Sequence, residues 1–384
     1  MDSHANLYAT VDLGAVAHNV GVLRERSGAD VIAVVKADGY SHGAVPVARA
    51  ALAAGASAIG TATIGEARAL RAAGIDSHIT AWLHTGASDF AAAIADDIDI
   101  AVSSPHHLDL VLAAARSLGR PATVTVKVDT GLGRSGVGPD DWEAAVATVA
   151  AGVAEGAFTL HGVMCHLAFG DEPDHPMNDR QAQRLDEAVA DLRRHGAPPR
   201  IVHMANSPAA LARPDLARDA VRPGLAVYGY SPIPSMGDFG LRRAMTLEAR
   251  IALVKRVSAG QGVSYNHTWS AARDTVLGVV PAGYADGVPR QLSGRFSVHV
   301  NGRLFPSVGR VCMDQFVIDL GPDGGGVAED DRVVLFGPES AGTGDRVPTA
   351  TDWADTVGTI DYEIISRVGS RAVRRYVNDP EALG

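Results

Sequence analysis

Between about residues 30 and 230 the chain repeats one alternation eight times: a short β-rich run, then an alanine-rich amphipathic stretch. The β-like runs are VIAVVK (31–36), AIGTAT (58–63), HITAWL (78–83), DIAVSS (99–104), TVTVKV (123–128), TLHGVMCH (159–166), IVHMAN (201–206) and LAVYG (225–229). Helical patterns such as VPVARAALAAG, GEARALRAAG and DRQAQRLDEAVADLRRHG lie between them. Parallel strands need a crossover of about a dozen residues or more, and each intervening stretch is of that kind. An open doubly wound sheet also alternates but rarely needs so many parallel strands in sequence. The expected class is therefore α/β, a TIM (β/α)8 barrel over residues 15–240.

The texture changes after residue 241. ARIALVKRV, TVLGVVPAGYA, FSVHVNGRLFP, GRVCMDQFVIDLG and DRVVLFG read as strands, spaced by turns such as Asn301-Gly302 and Pro322-Asp323-Gly324. Residues 241–384 are thus expected to form a second, mainly β domain that ends with the helical stretch TATDWADTVGTIDYEIISRV. Residues 1–14, which carry LYATVDLGA (7–15), are expected to pair with it. A length of 384 residues accommodates both domains. The net charge of −10, with scattered lysines and arginines, argues against nucleic acid or an acidic membrane as partner. No apolar run reaches the ~18–20 residues that span a bilayer. The start MDSHANLYATVD has neither basic n-region nor apolar h-region, so a cytoplasmic protein is expected. Cys165 and Cys312 make no disulfide framework and no metal-binding spacing.

A TIM barrel carries its chemistry at the C-terminal ends of its strands. Those ends read Lys36, then Lys127 with Asp129 and Arg134, His166, Asn206-Ser207 and Arg222-Pro223-Gly224. A single strand-end lysine reads as a cation reaching solvent; the whole set reads as a site. A desolvated lysine loses its preference for the ammonium form, and its neutral amine can attack a carbonyl. That is a Schiff-base lysine, for which pyridoxal phosphate (PLP) is the natural aldehyde. Barrels often bind phosphate with the loops after strands 7 and 8, where Ser207 and Gly224-Leu225 stand. Ser207 also fits a helix start, and the two roles are compatible.

The motifs AVVKADGYSHGA, KVDTGLGRSGV, HMANS, VRPGLAVYG, GVSYNHTW, PAGYADG, GRVCMDQ and TIDYEI, in this order, resemble those of the alanine racemases, PLP-dependent enzymes of fold-type III. The resemblance runs from the first strand to the final helix. It implies interconversion of L- and D-alanine, which supplies D-alanine for peptidoglycan, and a homodimer whose active sites are shared between subunits. It further implies that Lys36 holds PLP, with Tyr40, Ser207, Gly224, Leu225 and Tyr362 around the phosphate. Arg222 then faces the pyridine nitrogen with His203 behind it, and Tyr265, supported by His166, is the second acid/base. Arg134 and Met313 meet the substrate carboxylate or the cofactor's phenolic oxygen. Lys127 matches a lysine that is often carbamylated, and Tyr284, Arg310 and Asp171 belong to the entrance.

Racemisation takes a proton from one face of the α-carbon and returns one to the other, so two bases on opposite faces are the economical solution. By resemblance Lys36 serves D-alanine and Tyr265 serves L-alanine. A tyrosine of ordinary pKa, near ~10, is a poor base and needs cationic or hydrogen-bonding help. An arginine can only donate to the pyridine nitrogen, which keeps that nitrogen unprotonated and weakens the ring as an electron sink. This argues against the related decarboxylases, which prefer a carboxylate there. The β domain argues against the non-enzymatic PLP-binding proteins that have the barrel alone. A racemase of broader specificity, for example for serine, stays open, because a hydroxyl in an apolar pocket is worth only ~1–3 kcal/mol. The chain departs from the family pattern at Asn266, where glycine is common, at Phe169-Gly170 before Asp171, and in the tail SRAVRRY, which lacks a frequent proline.

Overall fold

A computed structural model describes residues 5–338 and 344–380. The expectations for residues 1–4 and 381–384 fall outside that part, as does the short stretch 339–343 of the β-rich region. The chain forms two compact units. One takes the described residues of Ala15–Gly39, Ala44–Arg242 and Pro380–Gly384; the other takes those of Met1–Gly14, Tyr40–Gly43 and Arg243–Asp379.

The first unit is a closed parallel barrel of eight strands. They are Asp30–Val34, Ala58–Thr61, His78–Ala81, Asp99–Val102, Ala122–Lys127, Phe158–Met164, Ile201–His203 and Ala220–Val221. The ring closes where Asp30 and Val31 pair with Ala220 and Val221. Strands covered on both faces must be apolar throughout, and Val31, Ile32, Ala33, Ile59, Ile79, Ile100 and Val124 are at most 1% exposed. Each outer helix starts and stops on local chemistry. Pro105–Leu118 begins with Ser104 accepting from the His107 amide and ends on Gly119 at φ 61. Met177–Arg194 buries Gln181, Leu185, Ala188 and Leu192 at helical spacing. Complete burial of a side chain such as Leu185 contributes about 1.5–3 kcal/mol.

One strand lies elsewhere than the sequence reading has it, and the other seven end one to three residues earlier. LAVYG is not the eighth strand: Ala220–Val221 fills that place, and Leu225–Tyr228 is one turn of 3-10 helix. Pro223 has no N–H to extend a ladder, so the chain turns after Arg222. Tyr228 is then spent inside the barrel, its hydroxyl donating to the Val34 carbonyl at 2.9 Å. The first strand likewise stops at Val34, two residues before Lys36.

The second unit is built on a nine-stranded sheet. Its order is Leu253–Val257, Thr275–Val280, Phe316–Gly321, Arg303–Val308, Ser297–Val300, Arg332–Phe336, Met245–Arg250, Leu7–Asp12 and Val373–Val377. The N-terminal strand sits between two strands remote in sequence. Ala9 pairs with Leu247 antiparallel on one side and with Arg374 parallel on the other. Trp353, 1% exposed, meets Phe296 and Phe336 edge-on, with ring centroids 5.4 and 5.1 Å away. Among the described residues no helix is long and apolar enough to cross a membrane.

Candidate active site

In the barrel unit the predicted residues collect at the C-terminal ends of the strands. After Val34 and Val35 the backbone enters a left-handed turn, with φ of 53, 51 and 61° at Ala37, Asp38 and Gly39, and of 52 and 65° at Tyr40 and Ser41. Each non-glycine residue held so costs roughly 1–2 kcal/mol. Local bonds offset this. Gly39 N–H donates to the Val35 carbonyl at 2.8 Å, and Asp38 accepts from the Ala44 amide at 2.9 Å. The Glu66 carboxylate accepts from Ala37 N–H at 2.8 Å, and from Ala62 and Thr63 N–H at 2.8 and 3.1 Å. Glu66 thereby ties the turn beside Lys36 to the start of the helix Ile64–Ala72. Its only trace in the sequence is Thr63-x-x-Glu66, a capping box, which predicts the helix start and not the reach to Ala37.

Arg222 is buried in this cluster, 5% exposed, as is Lys127. Its Nη1 donates to the His203 carbonyl at 2.9 Å and to His203 Nδ1 at 2.8 Å. Its Nη2 donates to the Cys165 carbonyl at 2.6 Å. Because a guanidinium only donates, His203 Nδ1 is the acceptor and the imidazole is neutral. Burial, and then the charge of Arg222, hold the His203 pKa well below its ordinary value. Burial also draws Arg222 itself down to about 10, which leaves it protonated at neutral pH. Nε–H makes no hydrogen bond among the described residues.

Around it, burial first, then Arg222 and Arg134, bring Lys127 to about 8 and His166 to about 3. Burial, helped by Arg134 and opposed by Glu66, lowers the Lys36 pKa. All three groups are thus biased toward the uncharged form. Lys127 Nζ donates to Ser135 Oγ at 2.6 Å, a partner not read from the sequence. Ser207 Oγ accepts from Gly224 N–H at 2.9 Å and Ala226 N–H at 3.3 Å, so its own proton is free to be donated outward. Asp171 is exposed in the loop before Met177–Arg194. Phe169 there stacks on His175 at 3.6 Å between ring centroids, and a Cβ at Gly170 would lie 2.7 Å from the Asn206 amide oxygen.

The β unit gathers the remaining residues in two groups. Tyr40 and Tyr362 form a ring pair with centroids 6.1 Å apart, and burial, then Tyr362, pushes the Tyr40 phenol up. Ser41 Oγ donates to the Ser366 carbonyl at 2.9 Å and ties this segment down. The second group is Tyr265, Tyr284, Arg310 and Met313. Ser264 Oγ donates to the Arg310 carbonyl at 2.7 Å, and Tyr284 and Ala285 N–H donate to the Cys312 and Met313 carbonyls at 3.0 Å each. A Cβ at Gly283 would lie 2.2 Å from the Met313 carbonyl oxygen, so this approach requires glycine. Asn266 has φ 61°, which explains why a departure from glycine is tolerated here: asparagine is among the residues that enter this region most readily. Tyr265 is 67% exposed and Met313 52%.

The fit to PLP is therefore good on the barrel residues alone. A lysine amine is biased to neutrality, and a buried arginine keeps one N–H for an acceptor that carries no proton. A serine hydroxyl beside the Leu225 turn can donate to a phosphate. A separate 520 Å³ cleft, lined by Asp179, Asp186, Asp215 and Arg218 on the outside of the barrel, has none of these groups.

Residues 11–232 match the family model described as alanine racemase, N-terminal domain, and residues 244–376 match alanine racemase, C-terminal domain. The chain belongs to the alanine racemase family. It is 55% identical over 370 residues to the alanine racemase of Mycolicibacterium vanbaalenii, covering 96% of this chain and 94% of that protein. Among solved structures it is similar to the alanine racemase of a D-cycloserine-producing Streptomyces lavendulae. That match has a TM-score of 0.94 and 47% identity, covering 99% of each chain. It is also similar to the Bacillus anthracis alanine racemase solved with bound L-Ala-P, with a TM-score of 0.89 and 33% identity over 98% of this chain and 96% of the other.

Glu66→Ala removes the acceptor for three backbone amides and is expected to lower stability by about 1–2 kcal/mol. Thr63→Ala, which removes only the cap, should lose less. Urea unfolding of the two variants checks the order; equal losses would show that the three bonds of the Glu66 carboxylate together contribute no more than the Thr63 cap.

Proposed function

We infer that the chain interconverts L-alanine and D-alanine with PLP, using Lys36 and Tyr265 as bases on opposite faces of the substrate. The observation that carries the reading is the Arg222 guanidinium, fixed by carbonyls and His203 with Nε–H left over. When bound, PLP supplies an electron-withdrawing ring that acidifies the α-proton of the amino acid joined to it. Arg222 would donate a hydrogen bond to the ring nitrogen without giving up its own proton, so that nitrogen would stay unprotonated, which restrains that withdrawal and favours quick return of a proton to the α-carbon. This favours racemisation over decarboxylation. Alanine rather than serine is supported by the name that the relatives share.

Lys36 would bind the cofactor through its amine, with Ser207, Gly224 and Leu225 at the phosphate; the resemblance adds Tyr40 and Tyr362 to that set. The lowered pKa of Lys36 makes its nitrogen available both for bonding and for taking a proton from D-alanine. Tyr265 moves the proton of L-alanine. His166, with a pKa near 3, is neutral, so any help it gives Tyr265 is a hydrogen bond and not a positive charge. Arg134 and Met313 orient the substrate carboxylate, and Tyr284, Arg310 and Asp171 line its entrance. Lys127 becomes a carbamate: its amine, with a pKa of about 8, adds to carbon dioxide and releases a proton, and the resulting anion attracts Arg134 where an ammonium repels it. Two copies share their sites, each giving Tyr265 and Met313 to the other; the exposure of both side chains supports this. The product is D-alanine for cell-wall peptidoglycan, made in the cytoplasm.

The loaded enzyme is expected to convert L-alanine to D-alanine faster than other amino acids in a panel, and borohydride should lock the pyridoxyl group onto Lys36. A label on Lys127 or Lys255, or equal rates across the panel, would overturn the assignment. Mixing inactive Lys36→Ala and Tyr265→Phe subunits should restore activity; heterodimers that form and stay inactive would place both bases within one subunit. With ¹³C-bicarbonate, the wild type should show a carbamate resonance that Lys127→Met lacks, and its absence from the wild type would reject the modification.

A further inference from the structure

Low in the barrel, two strands begin with His78 and Asp99, and His161 lies midway along a third. Asp99 is completely buried. Its Oδ2 accepts from Thr80 Oγ1 at 2.8 Å and Thr125 Oγ1 at 2.7 Å, and lies 3.2 Å from His78 Nε2. Its Oδ1 is buried with no hydrogen-bond partner among the described residues. The His161 ring stacks on His78, with centroids 3.8 Å apart and planes at 23°. One ligand atom from each of the three residues lies within 4.8 Å of the others.

The backbone aims His161 at this point. In the pairing of Ala122–Lys127 with Phe158–Met164, Val124 faces Leu160 and Thr125 faces Gly162, so His161 is the extra residue of a bulge. A bulge is a recurrent means of re-aiming a side chain. A buried carboxylate with one oxygen left without a partner is only partly compensated for its desolvation, and a cation would complete that compensation. His78 and His161 are only half-buried, which leaves a way in.

We propose that His78, Asp99 and His161 form a binding site for one divalent transition-metal ion of the zinc class, remote in role from the Lys36 cluster. Two imidazoles and a carboxylate are a usual donor set for such an ion, and three protein ligands leave a position for water. Asp99 Oδ1 is the carboxylate ligand, while Oδ2 keeps its bonds to Thr80 and Thr125. The ion ties together three barrel strands that are far apart in sequence.

The test is titration of the chelator-dialysed holoenzyme with cobalt(II) chloride, followed by its visible ligand-field bands. One cobalt per chain is expected, with the intense bands of low coordination and displacement by zinc chloride. His78→Gln and His161→Gln should each weaken binding at least ~10-fold, and zinc should raise the melting temperature of the wild type and not of the variants. The weak spectrum of the hydrated ion, or unchanged affinity in both variants, overturns the proposal. Should the variants fail to fold, zinc must protect His78 and His161 of the wild type from diethyl pyrocarbonate; equal modification with and without zinc overturns it as well. None of these readouts depends on racemase activity.

Discussion

A buried positive charge organises the end of the barrel where the chemistry lies. Arg222 has no carboxylate among its bonded partners; carbonyl oxygens of Cys165 and His203 and the Nδ1 of His203 hold it instead. These carbonyls stand at or just past the ends of Phe158–Met164 and Ile201–His203, where the ladder releases its acceptors. The guanidinium is thus satisfied by backbone polarity while its full charge is retained. That charge makes protons costly nearby: His203, His166 and Lys127 are all driven down by burial and by Arg222. A cluster of Lys36, Lys127, Arg134 and Arg222 calls for anions.

Strain is the second shared constraint. The turn after Lys36 and the turn around Tyr265 both run through the left-handed region, at Ala37, Asp38, Tyr40 and Ser41 in one and at Ser264, Asn266 and His267 in the other. Such conformations persist only where surrounding bonds over-determine them. Glu66, Asp38 and the Val35 carbonyl do this for the first. For the second, Ser264 bonds to the Arg310 carbonyl, and a Cβ at Gly309 would lie 2.8 Å from the Val263 carbonyl oxygen. Arg371 braces the neighbouring turn, reaching Asp314 at 2.7 Å and Asp286 at 2.8 and 2.9 Å. The two candidate bases thus stand on backbone that has little freedom to shift.

The barrel was legible because each strand is a local apolar run, and burial on both faces demands one whatever its partners. The gathering of Lys36, Lys127, His166, Ser207 and Arg222 was legible for a related reason: parallel topology sends all C-terminal strand ends to one side. LAVYG misled because an apolar run buried as a 3-10 turn has the composition of one buried as a strand. Ser135 on Lys127 and Glu66 on Ala37 were hidden, since a hydrogen bond across a turn leaves no periodicity behind.

The order of elements, the two-part architecture, the family and the residue types available for chemistry follow from the sequence by itself, because they rest on local patterning and on motifs whose members are close together. The tertiary structure alone decided which polar atoms are satisfied and which are left over. Arg222 Nε–H and Asp99 Oδ1 are identical in the sequence to any other arginine and aspartate atoms. Asp99 Oδ1 becomes distinctive only when closure of the barrel removes water from around it, and Arg222 Nε–H only when carbonyls and an imidazole take up the other donors of its guanidinium.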